Sequence, residues 1–326
     1  MRILAALSTE PDWDSITPAQ VVELREAQNR RRRSALGRIA TGKPDPLALI
    51  TTHTLRLPGR ALGARVYRPQ QGGTALPIVV AFHGGGLILG APDQDDWLLS
   101  HLAAHCPAVV VSIDYRLAPE HRVPAQMEDA YDGVTRIAEE AARWDADPTR
   151  IAVLGASAGA TLAALSAIKA AESGFSVRAQ VLINPQLDWT DRAFDYPSFT
   201  ENADSPTATP ANCRAVQRLA LPEGFDAATI SPMARDNLAG LAPALIHAVG
   251  TDPLQDQATA YADRLRQAGV EVKSTTYSEA VHAFMSMPGL VPATKPARAE
   301  ILAHLRRHLV DRSDSVQTRA TKTGRR

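Results

Sequence analysis

A serine flanked by glycines lies at a predicted junction between a strand and a helix. Residues 155–159 read Gly-Ala-Ser-Ala-Gly; they follow an apolar run at 151–154 and precede a stretch of helix-forming residues. A sharp turn in this context exposes the serine hydroxyl, and the glycines on either side avoid a steric clash. The helix that follows also favours negative charge near its first turn. The sequence therefore predicts that Ser157 is a nucleophile and that Gly155 and Gly159 support its turn.

A run of glycines ends an earlier apolar segment. Residues 83–86 read His-Gly-Gly-Gly and directly follow the strand-like run 78–82. Consecutive glycines let the backbone turn with its N–H groups facing a cavity, and such preformed donors stabilise an oxyanion by about 3 kcal/mol each. The same pattern is typical of lipases and esterases. This loop is therefore predicted to stabilise negative charge that develops during attack by the serine.

An aspartate and a histidine later in the chain complete a set of three side chains. Asp252 follows the apolar run 244–249, and His282 follows the strand-like run 272–277. Both positions fall at the carboxyl edge of a parallel sheet, where ligands of open α/β sheets bind. The chain order Ser157, Asp252, His282 is that of the α/β-hydrolases. We therefore expect His282 to act as the base and Asp252 to orient it.

Apolar runs and helix-forming stretches alternate along most of the chain. Strands that are apolar throughout are covered on both faces, which is typical of parallel sheets. Strands are predicted at 51–57, 64–67, 76–82, 108–113, 151–154, 179–183, 244–249 and 272–277. Helices are predicted at 17–40, 97–105, 124–142, 160–172, 255–268 and 297–309. This alternation predicts an α/β fold with a mostly parallel sheet and helices on both faces.

Several segments together resemble the hormone-sensitive-lipase-like family of bacterial carboxylesterases. They occur in the family's order over about residues 65–310, and the run Asp-Tyr-Arg-Leu-Ala-Pro-Glu at 114–120 is highly specific. The segments are 83–86, 114–120 with 124–125, 155–159, 231–232, 252–254 with Asp256, and 282–284. The resemblance implies the α/β-hydrolase fold, with an eight-stranded sheet and a helical cap.

The resemblance also implies roles for the glycine loop and for the residue after the serine. It implies that the backbone N–H groups of Gly85, Gly86 and Ala158 form the oxyanion hole. His83 and Gly84 would support this loop.

The chain departs from the family at two positions of the serine turn. Ala156 and Ala160 stand where the family usually has aspartate and glycine. Neither position supplies the hydroxyl or a donor side chain, so catalysis is expected to survive. The resemblance therefore predicts the type of reaction more firmly than the range of substrates.

The resemblance divides the chain into a catalytic domain, a cap and a tail. The catalytic domain is predicted at 46–187 and 226–310, the cap at 1–45 and 188–225, and a disordered tail at 311–326. The insertion 188–225 has scattered prolines and no obvious strand. Its large apolar side chains are candidate walls of the substrate pocket: Phe194, Tyr196, Phe199 and Leu219.

Composition excludes several other classes of protein. Among the 326 residues, 35 Lys and Arg balance 35 Asp and Glu, so no bulk charge attracts nucleic acid or a membrane surface. The two cysteines, Cys106 and Cys213, have no CxxC partners and predict idle thiols in a reducing compartment. No apolar run reaches the ~20 residues of a membrane-spanning helix. We expect a cytoplasmic protein with no nucleic-acid or membrane partner, and a homodimer is possible because dimers are common in the resembling family.

Two histidines stand four residues apart on a predicted helix, which is the spacing of a zinc-binding pair. His101 and His105 lack the glutamate that an H-E-x-x-H motif requires, because residues 102–104 are Leu-Ala-Ala. No metal is therefore expected, and serine hydrolase chemistry needs no cofactor.

The predicted reaction is hydrolysis of short- to medium-chain acyl esters, small-molecule substrates, by a serine carboxylesterase through an acyl-enzyme. Amidase, lactonase or dehydratase chemistry at the same site remains an alternative. A second alternative is a non-catalytic binding protein of this fold, like the plant gibberellin receptors. Those receptors lack the family's histidine, whereas this chain retains His282.

Overall fold

A single eight-stranded sheet lies at the centre of the computed structural model, which describes residues 11–310. The strands are β1 (Ala48–Leu57), β2 (Arg60–Pro69), β3 (Leu76–Phe82), β4 (Val109–Asp114), β5 (Ala146–Ala156), β6 (Ala179–Ile183), β7 (Ala244–Thr251) and β8 (Val272–Val281). Their order across the sheet is β1-β2-β4-β3-β5-β6-β7-β8. β2 runs antiparallel to both β1 and β4, and the other neighbouring pairs are parallel. The predicted α/β fold with a mostly parallel sheet is confirmed.

Helices connect the strands and cover both faces of the sheet. In the described part of the chain, the α-helices are α1 (Pro18–Arg33), α2 (Gly37–Thr41), α3 (Asp96–His105), α4 (Ala125–Glu139), α5 (Ala158–Glu172), α6 (Pro197–Glu201), α7 (Pro210–Ala220), α8 (Gln255–Gln267) and α9 (Thr294–Leu309). Within residues 11–310, none of them combines the length and the apolar character needed to cross a membrane. The predicted tail 311–326 lies outside the described residues.

The central strands are mostly apolar because both of their faces are buried. All seven residues of β3 are buried. Successive side chains of a strand point to opposite faces. Accordingly, Ile78 and Val80 pack into one hydrophobic cluster, whereas Val79 and Ala81 pack into the other.

The N-terminal helix begins and ends where its local sequence dictates. Thr17 and Gln20 form a capping box at the start of α1, and Pro18 occupies the first turn, where no backbone donor is needed. Four arginines occupy the last turn, where the helix dipole favours positive charge. One of them, Arg33, donates to Asp93 at 2.6 Å, which places the end of α1 against the loop that precedes α3.

The sheet and helix α5 approach each other closely at Gly159. A β-carbon added there would overlap the carbonyl oxygens of Phe82 and His83 at the end of β3. Both obstacles are backbone atoms, so they cannot rotate away. Only glycine therefore permits this distance between β3 and α5.

We predict that Gly159→Ala lowers the free energy of unfolding by roughly 1–3 kcal/mol, the usual cost of overpacking a core. Chemical denaturation followed by circular dichroism measures this change. Gly73→Ala is the matched control, because a β-carbon at Gly73 meets no atom within 4 Å. Equal stability of the two variants would contradict the proposed contact.

Candidate active site

The serine of the glycine motif lies in a strained turn between β5 and α5. Ser157 has φ 53° and ψ −123°, a conformation that residues with side chains rarely adopt. Its N–H donates to the carbonyl oxygen of Ile183 at 2.9 Å, which holds the turn against β6. Gly155 permits the bend because a β-carbon there would overlap the backbone of Gly159. The hydroxyl consequently lies above the carboxyl edge of the sheet.

Three side chains form a continuous chain of hydrogen bonds at this edge. The Ser157 hydroxyl lies 2.8 Å from Nε2 of His282, and Nδ1 of His282 lies 2.6 Å from Oδ2 of Asp252. The carboxylate can only accept, so Nδ1 carries the proton and Nε2 is free to accept from the hydroxyl. Asp252 is 1% exposed, and its other oxygen accepts from the Leu254 N–H at 2.9 Å. The structure thus brings together Ser157, Asp252 and His282, the three residues that the sequence predicted to act together.

The glycine loop presents backbone donors beside this serine. Gly85 and Gly86 have φ values of 130° and 63°, which are accessible mainly to glycine. In residues 11–310, the N–H groups of Gly85, Gly86 and Ala158 donate no hydrogen bond. Gly84, in the same loop, lies close to the serine: a β-carbon added to Gly84 would be 3.4 Å from Cβ of Ser157. Unpaired donors next to a hydroxyl are suited to hold a developing negative charge.

The Asp-Tyr-Arg-Leu-Ala-Pro-Glu run supports the glycine loop from below. The Tyr115 hydroxyl donates to the His83 carbonyl oxygen at 2.7 Å, and the two rings stack with centroids 4.3 Å apart. The Ala118 N–H donates to the Leu87 carbonyl oxygen at 2.9 Å. Burial, with a smaller contribution from the charge of nearby Arg32, lowers the pKa of His83 to about 4. His83 therefore stays neutral and acts as a structural support.

The insertion 188–225 is hydrogen-bonded to the loops that carry the aspartate and the histidine. Thr207 donates from its hydroxyl to the His282 carbonyl oxygen at 2.9 Å, and Asn202 donates from its amide to the Asp252 carbonyl oxygen at 3.1 Å. The hydroxyl of Ser198 donates to the Pro253 carbonyl oxygen at 2.9 Å. Sequence reasoning missed these three residues because no motif marks a side chain that bonds to a remote backbone.

A cavity of about 410 Å³ opens above the serine. Its walls come from the N-terminal segment, the glycine loop, the insertion and the loop after His282; they include Trp13, Gln28, Arg32, Thr41, Leu89, Ala156, Thr207, Ala208, Cys213, Val216 and Met287. The cavity is mixed in polarity and large enough for a small organic molecule. Ala156 lies on its wall, whereas the other unusual residue of the turn, Ala160, is buried.

The structure does not place the predicted wall residues Phe194, Tyr196, Phe199 and Leu219 on the wall of this cavity. Phe194 and Phe199 pack against each other with ring centroids 5.0 Å apart. Phe199 also packs with Cys213 and Leu254, which are themselves wall residues. These aromatic rings therefore lie one layer behind the wall, and the smaller side chains of the insertion face the serine.

The thiol on the cavity wall does not compete with the serine as a nucleophile. Burial raises the pKa of Cys213 to about 12, and the charge of Asp252 adds to this effect. The thiol is therefore protonated at neutral pH, and the thiolate is the reactive form. Cys106 and Cys213 are both free and buried.

The comparison with known families agrees with the geometry of the site. The family described as having the alpha/beta hydrolase fold matches residues 79–286, which include the glycine loop, the serine turn, the aspartate and the histidine. The chain belongs to this family. More narrowly, it is a hormone-sensitive-lipase-like carboxylesterase, because its similar relatives are esterases that share its fold and much of its sequence.

Two relatives come from Mycobacterium tuberculosis. Esterase LipI is 37% identical over 255 residues, which are 76% of this chain and 79% of that protein. Carboxylesterase NlhH is 38% identical over 253 residues, which are 75% of this chain and 78% of that protein. The solved structure of a hyperthermophilic esterase from Pyrobaculum calidifontis has a TM-score of 0.83 and 33% identity, covering 94% of this chain and 95% of that one. The chain is therefore a carboxylic ester hydrolase.

A buried carboxyl group is hydrogen-bonded to a residue of the cavity wall. Asp95 lies directly before α3 and accepts a hydrogen bond at 3.0 Å from the hydroxyl of Ser286, a cavity residue that follows His282. Burial raises the pKa of Asp95 from 3.8 to about 6, although Ser286 and Arg32 partly oppose this shift. The folded protein therefore retains this proton at pH values at which the unfolded chain has lost it.

This shift predicts a pH-dependent effect of Asp95→Asn. A raised carboxyl pKa stabilises the folded state below about pH 4, and this contribution is lost as pH rises through about 6. Asparagine does not titrate, so the stability of the variant relative to the native chain should increase over that range, by up to about 3 kcal/mol at neutral pH. Denaturation curves at several pH values measure it. A difference that is the same at every pH would contradict the raised pKa.

Proposed function

We propose that this carboxylesterase hydrolyses short- to medium-chain acyl esters through an acyl-enzyme on Ser157. The observation that carries the proposal is the hydrogen-bond chain from Asp252 through His282 to the Ser157 hydroxyl, at the floor of a cavity. An acceptor nitrogen 2.8 Å from a hydroxyl can remove its proton during attack.

In the first half of the reaction, the Ser157 oxygen attacks the ester carbonyl carbon while its proton passes to Nε2 of His282. Asp252 stabilises the imidazolium that forms. The N–H groups of Gly85, Gly86 and Ala158 stabilise the oxyanion, because they are otherwise unpaired within the described residues. The bond to the alcohol then breaks, and His282 returns the proton to the leaving alkoxide.

In the second half, water attacks the acyl-enzyme. His282 removes a proton from the water, a second oxyanion forms in the same place, and the acid leaves as Ser157 regains its proton. No cofactor takes part in either half. The helix α5 begins immediately after Ser157, so its first turn favours the negative charge in both steps.

The size of the cavity supports short and medium acyl chains. The N-terminal segment and the insertion both contribute to its walls, and Arg218 of α7 donates to the carbonyl oxygen of Trp13 at 3.2 Å. We therefore interpret the two segments as one cap that limits the depth of the pocket. The free, buried thiols are compatible with a reducing cytoplasm, and a homodimer stays a prediction from the resemblance.

Ser157→Ala should lower kcat for p-nitrophenyl esters by roughly 10³-fold or more, because the nucleophile is removed. Steady-state assays with the purified protein measure this. Ser166→Ala is the matched control, because Ser166 lies buried on α5, the helix that begins directly after Ser157, and does not line the cavity. Retention of native turnover by Ser157→Ala would overturn the assignment of the nucleophile.

A panel of p-nitrophenyl esters should show the highest kcat/KM for acetate, butyrate or hexanoate and much lower values for laurate and palmitate. The cavity of about 410 Å³ would have to enlarge to admit the longer chains. Matched anilides and a lactone in the same panel test the alternative chemistries. Faster turnover of an amide or a lactone than of every ester would replace the proposed substrate class.

A further inference from the structure

Three side chains with metal-binding atoms meet beside the N-terminal helices. Asp45 lies in the segment between α2 and β1, and His101 and His105 lie on α3. Nδ1 of His101 is 3.0 Å from Oδ2 of Asp45, and Nε2 of His105 is 2.9 Å from the same oxygen. The three ligand atoms all lie within 4.8 Å of one another. None of these residues lines the cavity above Ser157.

The carboxylate is held in place independently of the two imidazoles. Its second oxygen, Oδ1, accepts a hydrogen bond from the Leu47 N–H at 3.0 Å. The N–H of Asp45 donates to the hydroxyl of Ser100 at 2.8 Å, which anchors the segment to α3. Oδ2 therefore faces both imidazole nitrogens, and the two rings approach with centroids 4.0 Å apart.

This arrangement matches the dimensions of a zinc site. Nitrogen and oxygen ligands lie about 2.0–2.1 Å from Zn²⁺, so neighbouring ligand atoms of a tetrahedral site are roughly 3.3 Å apart. The distances from Oδ2 of Asp45 to Nδ1 of His101, 3.0 Å, and to Nε2 of His105, 2.9 Å, are already close to this value. The side chain of His105 is 36% exposed, which leaves it room to adjust and allows water to reach the fourth position.

The types of ligand also suit Zn²⁺, which proteins bind through histidine nitrogens and carboxylate oxygens.

We propose that Asp45, His101 and His105 bind one Zn²⁺ ion, with water as the fourth ligand. The sequence argued against a metal because His101 and His105 lack the glutamate of an H-E-x-x-H motif. That glutamate is a catalytic base and not a ligand, and here a carboxylate from a distant segment is the third ligand. Such an ion would tie α3 to the segment that follows α2, whose last residue, Thr41, lines the cavity. The proposal concerns stability of this junction and is independent of the ester chemistry.

The test is zinc titration of the full-length protein after treatment with EDTA. A competing zinc-responsive dye should report one equivalent bound with a dissociation constant of about 10 µM or lower, and the melting temperature should rise with Zn²⁺ but not with Mg²⁺, which prefers oxygen ligands. Asp45→Asn and His105→Gln should each weaken binding at least tenfold. Co²⁺ in place of Zn²⁺ should give visible absorption in the native chain and lose it in these variants.

A second histidine pair supplies the control. His304 and His308 stand four apart on α9 with ring centroids 4.6 Å apart, but they form no metal-binding group with a carboxylate within residues 11–310. His308→Gln should therefore bind Zn²⁺ like the native chain. Circular dichroism and esterase turnover of each variant confirm folding. The proposal is overturned if the native chain does not bind in this range, if Asp45→Asn and His105→Gln bind as the native chain does, or if His308→Gln loses the same affinity.

Discussion

The close contact between the end of β3 and the first turn of α5 determines where the reacting groups lie. Gly159 has no side chain, so α5 can rest against the backbone of Phe82 and His83. This contact places the glycine loop, which leaves β3 at His83, next to the strained turn of Ser157. The glycine loop and Ser157 therefore line the same cavity. A single methyl group at Gly159 would separate them.

The rest of the site is organised around this corner by hydrogen bonds from remote segments. Tyr115 supports the glycine loop from the sheet side. Asn202 and Thr207 reach from the insertion to the backbone of Asp252 and His282. The insertion therefore has two physical roles: it forms part of the cavity wall, and it is hydrogen-bonded to the loops that carry Asp252 and His282. Removal of the insertion would be expected to affect both substrate choice and turnover.

The sequence predicted the parts of the structure that depend on local pattern. The apolar runs 76–82 and 179–183 coincide with β3 and β6, because strands buried on both faces are mostly apolar. The last strand extends to Val281, beyond its predicted end at Tyr277, because β8 is an edge strand with exposed polar positions. The serine turn and the glycine loop could be recognised because their chemistry requires glycine at fixed spacings.

Features that depend on the direction of a side chain or on distant partners could not be predicted. Phe194 and Phe199 are large and apolar, but Arg214 covers both rings and they pack behind the cavity wall. Nothing in the local sequence indicates which way they point. Asp45 contacts His101 across 56 positions of the chain, so the pair of histidines alone did not reveal a third ligand.

If the proposed acyl-enzyme forms on Ser157, every ester of one acid passes through the same intermediate. Partitioning of the acyl group between water and methanol tests this most directly, because the acyl-enzyme has already lost the alcohol and is the same whichever ester formed it. With phenyl acetate and p-nitrophenyl acetate at one methanol concentration, the ratio of methyl acetate to acetate formed should be identical. A ratio that changes with the leaving group would contradict an acyl-enzyme on Ser157.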